Sequence, residues 1–88
     1  MDEQIEISDG CRLILRRLIS QERIGGANIP EAIVKAWVKN LPKIEHKKSM
    51  KDWERCIRAG LIMTKPKPYG LQVSLNPRKL SEIRELTR

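Results

Sequence analysis

Up to Gly60 the apolar positions recur with the roughly 3.6-residue period of helices, and past Gly60 the period shortens to two. Ile7, Cys11, Ile14 and Leu18 share one stripe, widened by Leu15 and Ile19, which predicts a first helix from Ser8 or Asp9 to Arg23. Arg12, Arg16 and Arg23 fall off that stripe and are expected in water. Gly25-Gly26 is the expected end, because glycine accepts the left-handed conformation that closes a helix.

A second helix has its start signals at Asn28, Pro30 and Glu31, an Asn-x-x-Glu box with proline in the first turn. Ile33, Ala36 and Trp37 form one apolar edge, Val34, Val38 and Leu41 the neighbouring one, and Pro42 ends the run. Lys43 to Lys48 reads as a polar connection. Ser49 and Asp52 then make a Ser-x-x-Asp box for a third helix over about 49–59. Met50, Trp53 and Ile57 face inward there, with Cys56 beside them. Gly60 at the C′ position, with Leu61 turning back toward Cys56, predicts a Schellman ending. Trp37 and Trp53 both fall on apolar stripes and are expected in the core.

Leu61 to Lys65 reads as a strand, Pro66 to Gly70 as a turn, and Leu71 to Leu75 as a returning strand with apolar residues in and polar residues out. Asn76-Pro77 caps a last helix whose Leu80, Ile83 and Leu86 point inward. With 88 residues, 40% hydrophobic and 33% charged, the chain reads as one small folded domain, 1–88, with residues 1–7 as an acidic, flexible N-terminus.

Charge changes the picture most. The chain has 18 Lys plus Arg against 11 Asp plus Glu, a net +7. Asp2, Glu3, Glu6 and Asp9 precede every cation, so the rest of the chain is more basic still. Lys39, Lys43, Lys47, Lys48, Lys51, Arg55, Arg58, Lys65 and Lys67 face only Glu45, Asp52 and Glu54 over the same stretch. Such a bias points to a polyanionic partner, nucleic acid ahead of a membrane surface.

Other classes fall away on specific grounds. No apolar run approaches the roughly 18 residues of a membrane span, and the acidic start lacks the form of a secretory signal. Cys11, Cys56 and the lone His46 do not make a four-ligand zinc site of the usual spacing. The two cysteines are expected as small buried hydrophobes in a reducing cytoplasm, at the nucleoid in a prokaryote, with a disulfide between them as the alternative. Ser8, Ser49 and Ser81 carry no nucleophile motif, and Gly25-Gly26 lacks the spacing of a phosphate loop. No enzyme activity, metal or cofactor is expected.

The order helix, short extended link, helix, helix, two-stranded hairpin, helix resembles a winged-helix domain over about Ser8 to Leu86. Ile29-Pro30-Glu31 is similar to the link into the second helix of such domains. Trp53-Glu54-Arg55-Cys56-Ile57-Arg58-Ala59-Gly60-Leu61-Ile62 is similar to their recognition helix running into the first wing strand, and Tyr69 to Asn76 to the returning strand. One departure is the long link from Leu41 to Lys48, where many helix-turn-helix proteins have a tight turn. The resemblance implies an α+β fold: a small winged-helix domain with a three-helix core, a two-stranded β-hairpin wing and a C-terminal helix.

It also implies a DNA-binding transcriptional regulator. The third helix would enter the major groove of double-stranded DNA with Lys47, Lys48, Ser49, Lys51, Arg55 and Arg58. Lys65, Lys67 and Tyr69 of the wing would meet the backbone or the minor groove. Arg55, one turn inside the expected helix, is the expected base reader, and Lys67 a phosphate contact. The competing reading is a winged-helix module that binds another protein; RNA is a third, weakened by the lack of an aromatic platform beyond Tyr69. A homodimer is expected, since one helix buries little surface, with Ile5 and Ile7 as candidate contacts to a second copy.

Overall fold

Ser8 opens the first helix, α1 (Asp9–Ser20), by accepting the Cys11 backbone N–H on its Oγ at 3.4 Å. The computed structural model describes residues 6–88. Cys11, Ile14, Leu15 and Leu18 are buried along the expected stripe. The helix ends short of Arg23. Glu22 donates its N–H to the Ile19 carbonyl and Arg23 to that of Leu18, a Schellman closure with Glu22 at φ 55° rather than glycine in the left-handed position. Gly25 (φ 63°) instead turns the chain so that its N–H reaches the Leu75 carbonyl at 3.0 Å.

Ile29–Pro30 forms a two-residue strand, β1, and α2 (Glu31–Ala36) follows directly. Pro30 stands at the cap position and makes no side-chain cap bond, so the Asn28 box is not formed. Beyond Ala36 the chain continues in tighter turns, with Trp37 N–H on Val34 O at 3.1 Å and Leu41 N–H on Val38 O at 3.2 Å. This keeps Val34 and Val38 buried, packs Leu41 and Trp37 against the core, and leaves Ile33 and Ala36 of the first expected edge outside.

The third helix begins earlier than the serine box predicts. α3 runs Lys43–Arg58 over 16 residues, with Pro42 at its cap position. Proline needs no N–H partner at a helix start, so the helix takes in the expected polar connection. The link from α2 is therefore residues 37–42, shorter than the expected Leu41 to Lys48 segment but still longer than a tight helix-turn-helix turn. Ser49, mid-helix, donates its hydroxyl to the Glu45 carbonyl at 2.8 Å instead of capping. Gly60 (φ 81°) closes α3 as expected, with Leu61 N–H on Cys56 O at 3.0 Å and Gly60 N–H on Ile57 O at 3.1 Å.

β2 (Ile62–Lys67) and β3 (Gly70–Leu75) pair antiparallel from Ile62–Leu75 to Lys67–Gly70, joined by the turn Pro68-Tyr69. Pro66 lies inside β2, an edge strand, where a missing donor is tolerated. The expected two-stranded hairpin is in fact a three-stranded sheet of order β1-β3-β2, which makes β3 central. That is why Gln72 and Ser74, expected to face out, are buried; Ser74 donates its hydroxyl to the Gly25 carbonyl at 2.7 Å. Asn76 accepts from Arg78 N–H at 3.0 Å and donates to Gly60 O at 2.8 Å, which fixes the turn Pro77–Lys79 before α4 (Leu80–Leu86). Arg12 donates to Leu86 O at 3.2 Å and Arg16 to Thr87 O at 2.8 Å. Arg16 stays exposed as expected and Arg12 is half-buried, and both side chains tether the negative end of α4.

The described residues thus form a small α+β domain of four α-helices and a three-stranded antiparallel sheet. Among them no helix is long and apolar enough to cross a membrane. Trp53 is fully buried at the centre, its Nε1 donating to Glu31 Oε2 at 2.8 Å. Trp37 is only half-buried and carries the Arg17 guanidinium 5.4 Å above its ring. Ile7, 8% exposed, belongs to the core and is not available to a second copy. The expectations placed on Asp2, Glu3 and Ile5 lie outside the described residues.

α1 crosses α3 at Gly10, where a Cβ would overlap Ser49 Oγ and lie 2.9 Å from Leu41 Cδ1. At the next residue of α1, and two turns further along α3, the Cys11 and Cys56 sulfurs sit 4.0 Å apart as buried free thiols. The hydrogen bond to Cys56 and burial both push the Cys11 thiol up, so it stays protonated and unreactive.

Gly10→Ala is expected to lower stability by roughly 1–3 kcal/mol by overpacking, in spite of alanine's better helix propensity. Gly26→Ala, whose Cβ meets nothing within 4 Å, is expected to be neutral or mildly stabilising. Thermal melts of the two variants check this; equal midpoints would mean that the crossing has room to spare.

Candidate nucleic-acid interface

α3 divides sharply into two faces. Ser49, Trp53 and Cys56 are buried on one side, and Met50, Asp52 and Ile57 border them. The opposite arc is exposed and holds Lys43, Ile44, Lys47, Lys48, Lys51, Glu54, Arg55 and Arg58. At about 100° per residue, Ile44 and Lys51 fall on nearly one line along the arc, with Arg55 close to it. Lys47 and Arg58 flank that line on one side and Lys48 on the other. The helix thereby brings together five of the six residues expected there: Lys47, Lys48, Lys51, Arg55 and Arg58. Ser49 is the exception. It is fully buried against Gly10 and cannot meet a ligand outside the protein.

Which cations are already occupied matters more than their number. Arg55 donates to Asp52 at 3.2 Å, and the Asp52 side chain, only 13% exposed, also accepts the Ser8 backbone N–H at 2.7 Å. Asp52 therefore ties α3 to the start of α1 and draws Arg55 toward the protein. Lys47, Lys48, Lys51 and Arg58 have no acidic partner among the described residues. The arginines of α1 differ. Beside a cleft of about 540 Å³, Arg12 binds Asp9 and Leu86 O, Arg16 binds Thr87 O, Arg17 covers Trp37, and Arg88 pairs with Glu85 at 3.1 Å. These side chains are held by partners within the fold, although Arg16 and Arg17 stay exposed and face no carboxylate.

β2 leaves α3 directly through the Gly60 turn, and Asn76 N–H bonds Leu61 O at 2.9 Å across that turn. Lys65 and Lys67, two apart on β2, share one sheet face. Lys65 lines a shallow cleft of about 260 Å³ with Met63, Gln72 and Gly25-Gly26. Tyr69, at 77% exposure, stands in the turn itself. The tip is Pro68-Tyr69, narrower than the expected Pro66–Gly70 loop, and its backbone is held by the Lys67–Gly70 pair.

Sequence reasoning missed Ile44. It is 68% exposed in the first turn of α3, a segment read as a connection. The available signal was Pro42 followed by Glu45, proline at a helix start with an acid in the first turn. The earlier start also moves Arg55 from the first turns of the helix to its last, so the expected base reader sits at the far end.

Among the described residues no three His, Cys, Asp or Glu side chains gather as metal ligands. No family model matches the chain, and no curated protein or solved structure matches it.

Asp52→Ala is expected to cost roughly 1.5–3 kcal/mol, the worth of a partly buried hydrogen bond to a charged acceptor. Arg55→Ala is expected to cost under about 1 kcal/mol, since its pair with Asp52 is half in water. Urea melts of the two variants separate the roles; equal losses would mean that Asp52 serves Arg55 rather than α1.

Proposed function

We propose that this chain is a small DNA-binding protein of winged-helix architecture, a transcriptional regulator and not an enzyme. In this reading α3 lies in the major groove of double-stranded DNA, and the β2–β3 turn meets the backbone or the minor groove. The observation that carries it is the exposed arc of α3, where Lys47, Lys48, Lys51 and Arg58 stand with no acidic partner among the described residues. Cations left unpaired along a helix repel one another unless an anionic surface lies against them. A major groove about 12 Å wide admits one α-helix and brings phosphates to both of its flanks.

Three further features support the reading. The hairpin follows α3 without a spacer. The arginines of α1 are held by carbonyls, a ring and Asp9, whereas Lys47, Lys48, Lys51 and Arg58 of α3 are held by nothing within the fold. Lys67 and Tyr69 sit at the hairpin tip, where a backbone contact positions the protein without reading sequence. A single helix buries little DNA, so we propose action as a homodimer on half-sites about 34 Å apart. The compartment is then the one that holds the DNA: the cytoplasm, at the nucleoid, if the source is prokaryotic.

Lys47, Lys48 and Arg58 on the flanks of α3, with Lys65 and Lys67, offer five phosphate contacts. The slope of log K against log salt is expected to be about −4.5, at roughly −0.9 per contact, and Lys48→Ala is expected to reduce it by about one. Titrating a labelled duplex at several salt concentrations measures both. A flat salt response, or tighter binding to single-stranded RNA than to the duplex, would overturn the proposal.

A further inference from the structure

We propose that Ile44 is the sequence-reading side chain of α3 and that it recognises thymine through the C5-methyl group; this rests on the DNA-binding reading above. Three observations converge on it. Ile44 is a large aliphatic side chain left 68% exposed in the first turn of a 16-residue helix, with the core available on the opposite face. It stands near the midline of the exposed arc, seven residues before Lys51 and hence about 10 Å from it along the axis. Lys47 and Lys48 follow on either side of that line.

The chemistry of the groove then assigns the roles. Side chains on the flanks of a groove-bound helix reach the phosphate walls, which suits lysine and arginine. A side chain on the midline faces the floor, where base edges present donors, acceptors and one apolar group, the thymine methyl. An aliphatic residue placed there leaves polar base edges unsatisfied and gains only against that methyl. Ile44 therefore selects thymine by removing two apolar surfaces from water, and it needs no hydrogen bond to do so. Arg55, also near the midline, lies three turns further along and is engaged by Asp52.

The test separates the methyl from everything else in the base. Duplexes are selected from a pool with a randomised central block, and the consensus is remade with deoxyuridine replacing thymine at one position at a time. Deoxyuridine keeps every hydrogen-bonding group and lacks only the methyl. Affinities of the wild type and of Ile44→Ala are measured on both sets. The wild type is expected to lose about fourfold at one thymine position, the worth of one buried methyl. Ile44→Ala is expected to bind the thymine and deoxyuridine duplexes alike, with an unchanged salt slope and an unchanged melting temperature. A consensus without thymine, a wild type indifferent to every replacement, or an Ile44→Ala variant that keeps the wild-type ratio would each overturn the assignment while leaving salt-dependent DNA binding intact. Absence of any salt-dependent duplex binding by the wild type would overturn both readings together.

Discussion

Where α1 meets α3 the two helices touch through a glycine and a serine, and that contact sets the geometry of the domain. Gly10 has no side chain, so Ser49 packs against its backbone, and Ser49 turns its hydroxyl inward to Glu45 rather than outward to a ligand. The close approach brings Asp52 to the Ser8 N–H and the Cys11 and Cys56 thiols to 4.0 Å. It also seats Trp53 under α2, where Glu31 takes its indole N–H. Helix packing of this kind is discrete, since a side chain either fits the groove or forces the axes apart. With the inner face of α3 committed in this way, only one arc of the helix remains for solvent.

That arc differs from the other basic surface of the molecule in how its charges are used. The arginines of α1 hold carbonyls at the end of α4, a ring and nearby carboxylates, interactions that pin the C-terminal helix to the first. Hydrogen bonds of this type hold the fold together and fix where these side chains lie. The lysines of α3 do the reverse. They contribute nothing visible to packing, and their mutual repulsion is a small cost that a polyanion would remove. A functional surface is often recognised by such local disagreement with what stability alone would select.

Much of this was legible in the chain. The stripe through Cys11, Ile14 and Leu18, the Gly60 closure and the Asn76-Pro77 cap each rest on a short-range rule, and each stands where expected. The errors share a cause: local signals were trusted where tertiary partners decide. Ser49 and Asp52 have the spacing of a capping box, but one packs on Gly10 and the other binds Ser8, both distant in sequence. Gln72 and Ser74 alternate like an exposed strand face, yet the chain around Gly25 and β1 covers them. Gly25-Gly26 has the composition of a helix end, while Glu22 accepts the strain one turn earlier. Of the candidate site, the cationic set on α3 was legible because charge and helical period survive an error in where the helix starts. Ile44 was not, because its exposure has meaning only once the helix is known to begin at Lys43.

The claim on which the account depends is that the outer arc of α3 and the hairpin tip form one contact surface for duplex DNA. Titrating isotope-labelled protein with a short duplex and following backbone amide shifts by NMR tests it most directly. The account predicts that the largest shifts fall on Ile44, Lys47, Lys48 and Lys51 and on the turn from Lys67 to Gly70, while Arg12 to Arg17 of α1 stay nearly still. Shifts centred on α1 and the end of α4, with α3 unmoved, would contradict it.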